Sequence, residues 1–91
     1  MNNQINIVFM GTPEYATVIF ERLLEEDFNI KALFTQPDKK VGRKQIITPP
    51  HIKQFCLNHG LSLPIYQPKS LKDNSIETTI LALKPDFIIV A

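Results

Sequence analysis

The fold of this chain is decided by residues 5–14, which read Ile-Asn-Ile-Val-Phe-Met-Gly-Thr-Pro-Glu. Five of the first six residues are apolar, as in a strand buried on both faces of a parallel sheet. Gly11 permits a tight turn after this strand. Thr12 can cap a helix with its hydroxyl group, and Pro13 suits the first helical position, where no N–H is needed. A strand, a tight turn and a capped helix predict the opening unit of an α/β nucleotide-type fold.

The same stretch argues against a dinucleotide site. Folds that bind NAD use a G-x-G-x-x-G turn, which lets backbone N–H groups approach a pyrophosphate. Here a single glycine, Gly11, is followed by Thr12 and Pro13, and proline has no N–H to offer. A phospho-accepting receiver domain is also disfavoured, because Phe9 and Met10 stand where such domains need acidic residues.

The composition is that of one small domain at most, since the chain has 91 residues. The net charge of +1 indicates no class of partner, so only local charge clusters can. Cys56 is alone, which excludes an internal disulfide and fits a cytoplasmic location; we predict that it is a small core residue. Cys56 and His59 are too few to predict a metal site. Neither a signal peptide nor a membrane span is predicted.

Helices and strands alternate along the rest of the chain. Helical spacing or helix-boundary residues predict helices over residues 13–27, from a cap at Thr48 to Gly60, and over 74–84. Further strands are predicted over residues 30–35, 63–67 and 87–91. Right-handed crossovers place the second and third strands on one side of the first. If the fourth strand returns to the other side, the strand order is 3-2-1-4, counted along the chain, with helices on both faces of the sheet. We therefore predict a Rossmann-like parallel α/β sheet.

The last predicted strand stops inside an apolar run, residues 87–91, without a polar tail. We therefore expect residues 1–91 to be an incomplete domain, the N-terminal part of a longer polypeptide.

The sheet order also predicts where a ligand would bind. Open α/β sheets bind ligands outside the carboxyl ends of the strands, at the point where the strand order reverses. Here that point lies between the first and fourth strands. The predicted crevice has one wall of Met10, Gly11 and Thr12 and a second wall of Val90 and Ala91.

Residues 36–47 show no periodicity and predict an unusually long loop at the carboxyl edge of the second strand. Four of the ten cationic residues of the chain lie within six positions of this loop: Lys39, Lys40, Arg43 and Lys44. A solvated surface loop is the alternative interpretation. Because length, charge and position coincide, we predict that the loop binds a polyanion, whose counterions these side chains would displace.

Several short motifs occur in a specific order and spacing. They are Phe-Met-Gly-Thr-Pro-Glu-Tyr-Ala at 9–16, Thr-Gln-Pro-Asp at 35–38, Gly-Arg at 42–43, Thr-Pro at 48–49 with Lys53, Gln-Pro at 67–68, and Leu-Lys-Pro-Asp at 83–86. Together they resemble the N-terminal part of the methionyl-tRNA formyltransferase family, over nearly the whole chain.

The resemblance implies a catalytic domain that transfers a formyl group from 10-formyltetrahydrofolate to the methionine amino group of initiator tRNA, without a metal. It implies that residues 36–47 contact the tRNA acceptor arm, with Arg43 the closest match and Lys39, Lys40 and Lys44 beside it. The family usually continues Gly-Arg with Gly and two Lys, whereas this chain has Lys-Gln-Ile, so its charge lies more toward Lys39 and Lys40.

The resemblance also divides the crevice between the two substrates. Met10, Gly11, Thr12 and Tyr15, which stands where the family generally has Phe, would lie near the aminoacyl end. Val90 and Ala91 would form the folate side. The catalytic Asn, His and Asp of the family lie downstream of Ala91, so no catalytic residue is assigned here and the chain alone is expected to be inactive.

Two other functions remain open. A folate-dependent formyltransferase acting on an amino-sugar nucleotide would share the sheet but would have no reason for a long cationic loop. A non-catalytic nucleotide- or RNA-binding α/β module would need a self-sufficient sheet edge, which residues 87–91 do not suggest.

Overall fold

The computed structural model describes residues 2–70, 72 and 74–91. Along the chain, a short 3-10 turn (Asn2–Gln4) precedes the elements β1 (Asn6–Met10), α1 (Glu14–Glu25), β2 (Asn29–Phe34), β3 (Lys39–Val41), β4 (Ile46–Thr48), α2 (His51–Asn58), β5 (Ile65–Tyr66), α3 (Asn74–Leu83) and β6 (Phe87–Val90). Each predicted helix and strand is present, with ends that differ by a few residues.

Four of the strands form a parallel sheet in the order β5-β2-β1-β6. The four strands predicted from the sequence are β1, β2, β5 and β6, so the predicted order 3-2-1-4 is confirmed. The central pair, β1 and β2, is the most extensively paired, from Asn6 opposite Asn29 to Met10 opposite Phe34. The Rossmann-like arrangement is therefore confirmed as well.

The sheet is covered by helices on both faces, as predicted. The buried residues on the side of α1 and α2 are Ile7, Phe9, Ala16, Phe20, Ile30, Leu33, Ile52 and Cys56. On the side of α3 they are Val8, Ala32, Phe34 and Ile76. Alternate residues of β1 thus enter different cores, which explains why its apolar run is continuous.

An aromatic cluster lies at the centre of the larger core. Phe20 of α1 is fully buried, and its ring packs edge-on against Phe9 of β1, with ring centroids 5.3 Å apart. Phe55 of α2 meets the same ring at 6.2 Å, again edge-on. Cys56 is 1% exposed, and burial raises the pKa of its thiol to about 11. The predicted core position of this cysteine is confirmed.

Gly11 is required by close packing rather than by a left-handed turn, since its φ is not positive. A Cβ at this position would lie 2.8 Å from the Cβ of Ala16 and 3.0 Å from Cε1 of Phe9. It would also lie 3.4 Å from the carbonyl oxygen of Ala91. The glycine therefore allows the end of β1 to lie close to α1 and to the residue after β6.

The two predicted threonine caps are wrong. Pro13 and Pro50 are the N-cap residues of α1 and α2, and neither helix has a side-chain cap. The hydroxyl of Thr12 instead accepts a hydrogen bond of 3.1 Å from the backbone N–H of Gln36. Thr48 lies in β4, and its hydroxyl donates to a carbonyl two residues earlier. Both hydroxyl groups contribute to the segment after β2 rather than to a helix end.

Residues 36–47 are not an irregular loop, because β3 and β4 pair there as an antiparallel hairpin. Lys40 lies opposite Ile47, and the intervening turn, residues 42–45, places Gly42 and Gln45 at φ of 73° and 52°. Every residue of the two strands is exposed. Each strand has only three residues, which is too few for an alternating pattern to be recognised in the sequence.

Large apolar side chains are exposed on β6, an edge strand of the sheet. Phe87 is 60% exposed and Val90 is 73% exposed. Within residues 2–70, 72 and 74–91, none of the helices has both the length and the apolar character that crossing a membrane requires.

Candidate functional site

A crevice of about 530 Å³ opens at the carboxyl ends of the parallel strands. The structure brings together all five residues predicted to form its walls: Met10, Gly11, Thr12, Val90 and Ala91. It adds a third side that the sequence analysis missed, formed by Pro13, Phe34, Thr35, Gln36, Pro37, Lys39, Pro68, Lys69 and Ser70. The crevice therefore combines apolar surface with hydroxyl groups and two lysines.

The walls of the crevice continue the hydrogen bonding of the sheet beyond the strands. The N–H of Gly11 donates to the carbonyl of Phe34 at 3.0 Å, and the N–H of Ala91 donates to the carbonyl of Met10 at 2.9 Å. Backbone bonds of this kind fix both predicted walls relative to the central strands.

The hydroxyl of Thr12 joins the first wall to the third side. It lies 3.1 Å from the hydroxyl of Thr35 and accepts the N–H of Gln36 at 3.1 Å. Thr35 is itself buried, with 6% exposure. The start of the segment leading to β3 is thereby attached to the end of β1.

The β3–β4 hairpin carries the four predicted cations, which are all exposed. Lys39 is the one that lines the crevice, while Lys40, Arg43 and Lys44 lie outside its lining. In the part of the chain that the structure describes, no ion pair involves any of the four. The positive charge of the hairpin is therefore not neutralised by neighbouring carboxylates.

Tyr15 does not join the crevice. It lies in the first turn of α1 with 62% of its surface exposed, and it is absent from the lining. Of the four residues predicted near the aminoacyl end, Met10, Gly11 and Thr12 therefore line the crevice and Tyr15 does not.

The sequence analysis also missed a cluster of three polar side chains at the base of the hairpin, Asp38, Lys53 and Gln67, which we call the root cluster. The Lys53 ammonium donates to the two carboxylate oxygens of Asp38 at 3.2 and 3.3 Å and to Oε1 of Gln67 at 2.8 Å. Nε2 of Gln67 donates to Oδ1 of Asp38 at 2.6 Å. Each member thus contacts both others.

The root cluster stabilises the ionised form of Asp38. The hydrogen bond from Gln67 lowers the pKa of the Asp38 carboxyl below its ordinary value. Desolvation opposes this effect, and a hydrogen bond and the positive charge of Lys53 add to it. The pair is partly shielded, with side-chain exposures of 22% for Lys53 and 32% for Asp38.

The sequence does contain a signal for this cluster. Gln-Pro occurs one residue after the end of β2, at 36–37, and again directly after β5, at 67–68. Because β2 and β5 are parallel neighbours, their carboxyl ends lie at the same sheet edge. Gln67 accordingly reaches the carbonyl of Gln36, at 3.0 Å.

No metal centre is found among the described residues, in which no three His, Cys, Asp or Glu side chains lie together as possible ligands. His59 is occupied locally, with Nδ1 2.9 Å from the carbonyl of Phe55.

Comparison with known proteins gives close relatives over nearly the whole chain. The methionyl-tRNA formyltransferase of Campylobacter lari is 58% identical over 86 residues, which cover 94% of this chain. Those of Campylobacter fetus and Nitratiruptor are 58% and 53% identical over 87 residues each. This chain resembles the methionyl-tRNA formyltransferases. The resemblance predicted from the sequence is confirmed.

The match covers only part of each relative. The chain spans 28% to 29% of the length of these methionyl-tRNA formyltransferases, in their N-terminal portion. No family model matches the chain.

Proposed function

We propose that this chain forms the N-terminal part of the catalytic domain of a cytoplasmic methionyl-tRNA formyltransferase. The reaction would move a formyl group from 10-formyltetrahydrofolate to the amino group of methionine carried by initiator tRNA. The names of the relatives support this proposal, since their identity to the chain is 53% to 58%.

One structural observation carries the tRNA part of the proposal. The hairpin presents Lys39, Lys40, Arg43 and Lys44 to solvent beside the crevice, and residues 39–48 contain no acidic side chain. RNA binding gains free energy when cationic side chains displace counterions from phosphates. An amino-sugar nucleotide is too small to need several exposed cations outside the crevice. We therefore assign the hairpin to the acceptor arm of the tRNA.

The crevice would then receive the reacting ends of both substrates. Met10, Gly11 and Thr12 would lie on the aminoacyl side, and Val90 and Ala91 on the folate side. The α-amino nitrogen attacks the formyl carbon, and a tetrahedral oxyanion forms that hydrogen-bond donors must stabilise. A base removes the amine proton, the bond to the folate nitrogen breaks, and that nitrogen is protonated.

None of the residues in this chain is assigned the role of base, acid or oxyanion donor. Val90 and Ala91 are apolar, and Thr12 and Thr35 already bond to each other. Catalysis would therefore need residues outside this chain, and the chain alone is proposed to be inactive. Formyl transfer by the purified chain would contradict this assignment.

The test compares Arg43→Ala with Arg22→Ala in the complete protein. Arg22 is an exposed arginine of α1 whose guanidinium lies 2.8 Å from Glu26, an ion pair of the kind that contributes little to stability. Arg43→Ala should weaken the affinity for initiator tRNA and leave folate affinity nearly unchanged. Arg22→Ala should change neither affinity.

A second experiment separates the proposal from the amino-sugar alternative. Replacing the four hairpin cations with Gln should abolish most turnover of methionyl-tRNA. If turnover persists, or if Arg43→Ala lowers folate affinity as much as tRNA affinity, the hairpin is not the tRNA contact.

A further inference from the structure

The β3–β4 hairpin is not anchored to the sheet by its own strand residues. All six residues of β3 and β4 are exposed. A two-stranded hairpin that buries no hydrophobic face is only marginally stable in water. The direction in which it leaves the main sheet must therefore be fixed at its base, where residues 35–38 enter β3.

The root cluster lies at this base and connects three separate parts of the fold. Asp38 directly precedes β3, Lys53 is in the first turn of α2, and Gln67 directly follows β5. Their mutual hydrogen bonds, 2.6 to 3.3 Å long, join the entrance of the hairpin to the helix behind it and to the edge strand beside it.

The backbone two residues before Asp38, at Gln36, is held by two contacts. The N–H of Gln36 donates to the hydroxyl of Thr12 at 3.1 Å, and its carbonyl accepts from Nε2 of Gln67 at 3.0 Å. A single contact would leave a hinge, whereas contacts at both the N–H and the carbonyl restrict rotation of this segment. Lys39, which lines the crevice, is the next residue after Asp38.

We propose that Asp38, Lys53 and Gln67 are positioning residues that set the angle at which the β3–β4 hairpin leaves the sheet. They thereby place Lys39 at the crevice and the turn cations beyond it. The claim that this angle matters for tRNA binding rests on the proposed function. The positioning itself does not, and it can be measured without RNA.

The direct test measures the distance between spin labels on the hairpin and on α1. The labels are placed at Lys44→Cys, in the hairpin turn, and at Glu21→Cys, on the exposed side of α1. Cys56 can stay in place because it is buried and its raised thiol pKa leaves little thiolate. A fixed hairpin gives a narrow distribution of distances.

Gln67→Ala removes the contacts to Asp38, Lys53 and Gln36 and should broaden this distribution. The matched control is Gln54→Ala, one residue after Lys53 on α2, whose side chain donates to Asn58 of the same helix at 2.9 Å. Gln54→Ala should keep the distribution narrow. An unchanged width in Gln67→Ala would overturn the proposal.

An exchange of side chains covers the case in which Gln67→Ala fails to fold. Gln67→Glu places a second carboxylate against Asp38 and should broaden the distribution. Adding Asp38→Asn restores one carboxylate and one amide around Lys53, and should narrow it again. If the double variant is as broad as Gln67→Glu alone, the contact between the two positions does not set the angle, and the proposal is wrong.

RNA binding distinguishes this proposal from the proposed function. The probe is an RNA stem-loop with the sequence of an initiator tRNA acceptor arm, added to the complete protein. If the hairpin of Gln67→Ala has the orientation that binds RNA about one third of the time, the Kd for the RNA rises about threefold. The slope of log Kd against log salt should not change, because the same phosphates are contacted once RNA is bound.

Arg43→Ala supplies the comparison in the same assay. If the distribution of label distances is broad in Gln67→Ala but Arg43→Ala has no effect on RNA affinity, the proposed function is refuted and the positioning role is supported. Narrow distances in Gln67→Ala would refute the positioning role whatever Arg43→Ala does.

Discussion

The side-chain amide of Gln67 donates a hydrogen bond of 3.0 Å to the backbone carbonyl of Gln36. Each glutamine is followed by a proline, and the two Gln-Pro pairs follow the neighbouring parallel strands β2 and β5. Pro37 and Pro68 both line the crevice. One side of the candidate site is thus built by a short motif that occurs twice, where dinucleotide-binding folds use a glycine-rich turn.

Gly11→Ala should lower the free energy of unfolding by about 1–3 kcal/mol, the usual range for forcing extra atoms into a packed core. The new Cβ would lie 2.8 Å from the Cβ of Ala16, which is shorter than any ordinary carbon contact, and neither atom is at the end of a flexible side chain. Urea unfolding of the two proteins measures the difference.

A double variant tests whether this contact is the cause. Adding Ala16→Gly removes the opposing Cβ, at a cost of up to about 1 kcal/mol for glycine within a helix. The double variant should be less destabilised than the sum of the two single variants. Simple additivity would show that the clash with Ala16 is not responsible.

Phe20→Ala should be the most destabilising single change in the core, by about 3–5 kcal/mol. The ring is fully buried and meets Phe9 and Phe55 edge-on, so its removal leaves a cavity between β1, α1 and α2. Val18→Ala is the control on the same helix, since Val18 is 68% exposed. It should change the melting temperature little. Comparable losses in both variants would mean that the cluster is not the centre of the core.

The parallel sheet could be predicted because its signals are continuous and local. The run at β1 is apolar on both faces, and proline or glycine interrupts the chain near several element ends, as at Pro13 and Gly60. The positive φ of Gly60, 63°, agrees with its predicted place after α2. With these elements in order, the right-handed crossover rule placed the first three strands. With the fourth strand on the other side of the first, the reversal of strand order then predicted the five wall residues of the crevice.

The third side of the crevice could not be predicted, because it depends on contacts between distant residues. Thr12 and Gln36 are 24 residues apart, and Gln67 and Asp38 are 29 apart. A hydroxyl group next to a helix predicts a cap, but the N–H of Gln36 competes for the same oxygen and is brought close only by the pairing of β1 with β2. Tertiary contact therefore decided against the local preference.

The stability contributed by the root cluster should depend on pH. Because Gln67 and Lys53 lower the pKa of Asp38 in the folded protein, their contribution is present above the unfolded pKa of about 3.9 and is lost as the pH falls through the folded value. The difference in melting temperature between the protein and Asp38→Asn should therefore shrink as the pH falls from about 5 to below the ordinary Asp value of about 3.9. A difference that stays constant over this range would show that the Asp38 charge is not involved.

The thiol of Cys56 should react very slowly with a disulfide reagent at pH 8. Its pKa of about 11 leaves only about one thiolate in a thousand, and the sulfur is also buried. Reaction should become fast and complete in urea, when burial is lost. Absorbance of the released thiol follows both rates. Fast reaction in the folded protein would mean that α2 separates readily from the sheet.

Arg43→Lys should recover only part of the RNA affinity lost in Arg43→Ala, if the hairpin contacts the tRNA as proposed. Lysine keeps the charge but cannot grip a phosphate with two parallel hydrogen bonds. The two variants should therefore differ in their salt dependence. Arg43→Ala should flatten the slope of log affinity against log salt by about 0.7–0.9 for the lost phosphate contact, whereas Arg43→Lys should keep the slope of the unsubstituted protein at a weaker affinity. Arg22→Lys serves as the control and should change neither quantity. If the salt-dependence slope is the same in the unsubstituted protein and in Arg43→Ala, Arg43 contacts no phosphate. If Arg43→Lys binds RNA with full affinity, charge alone is recognised at this position.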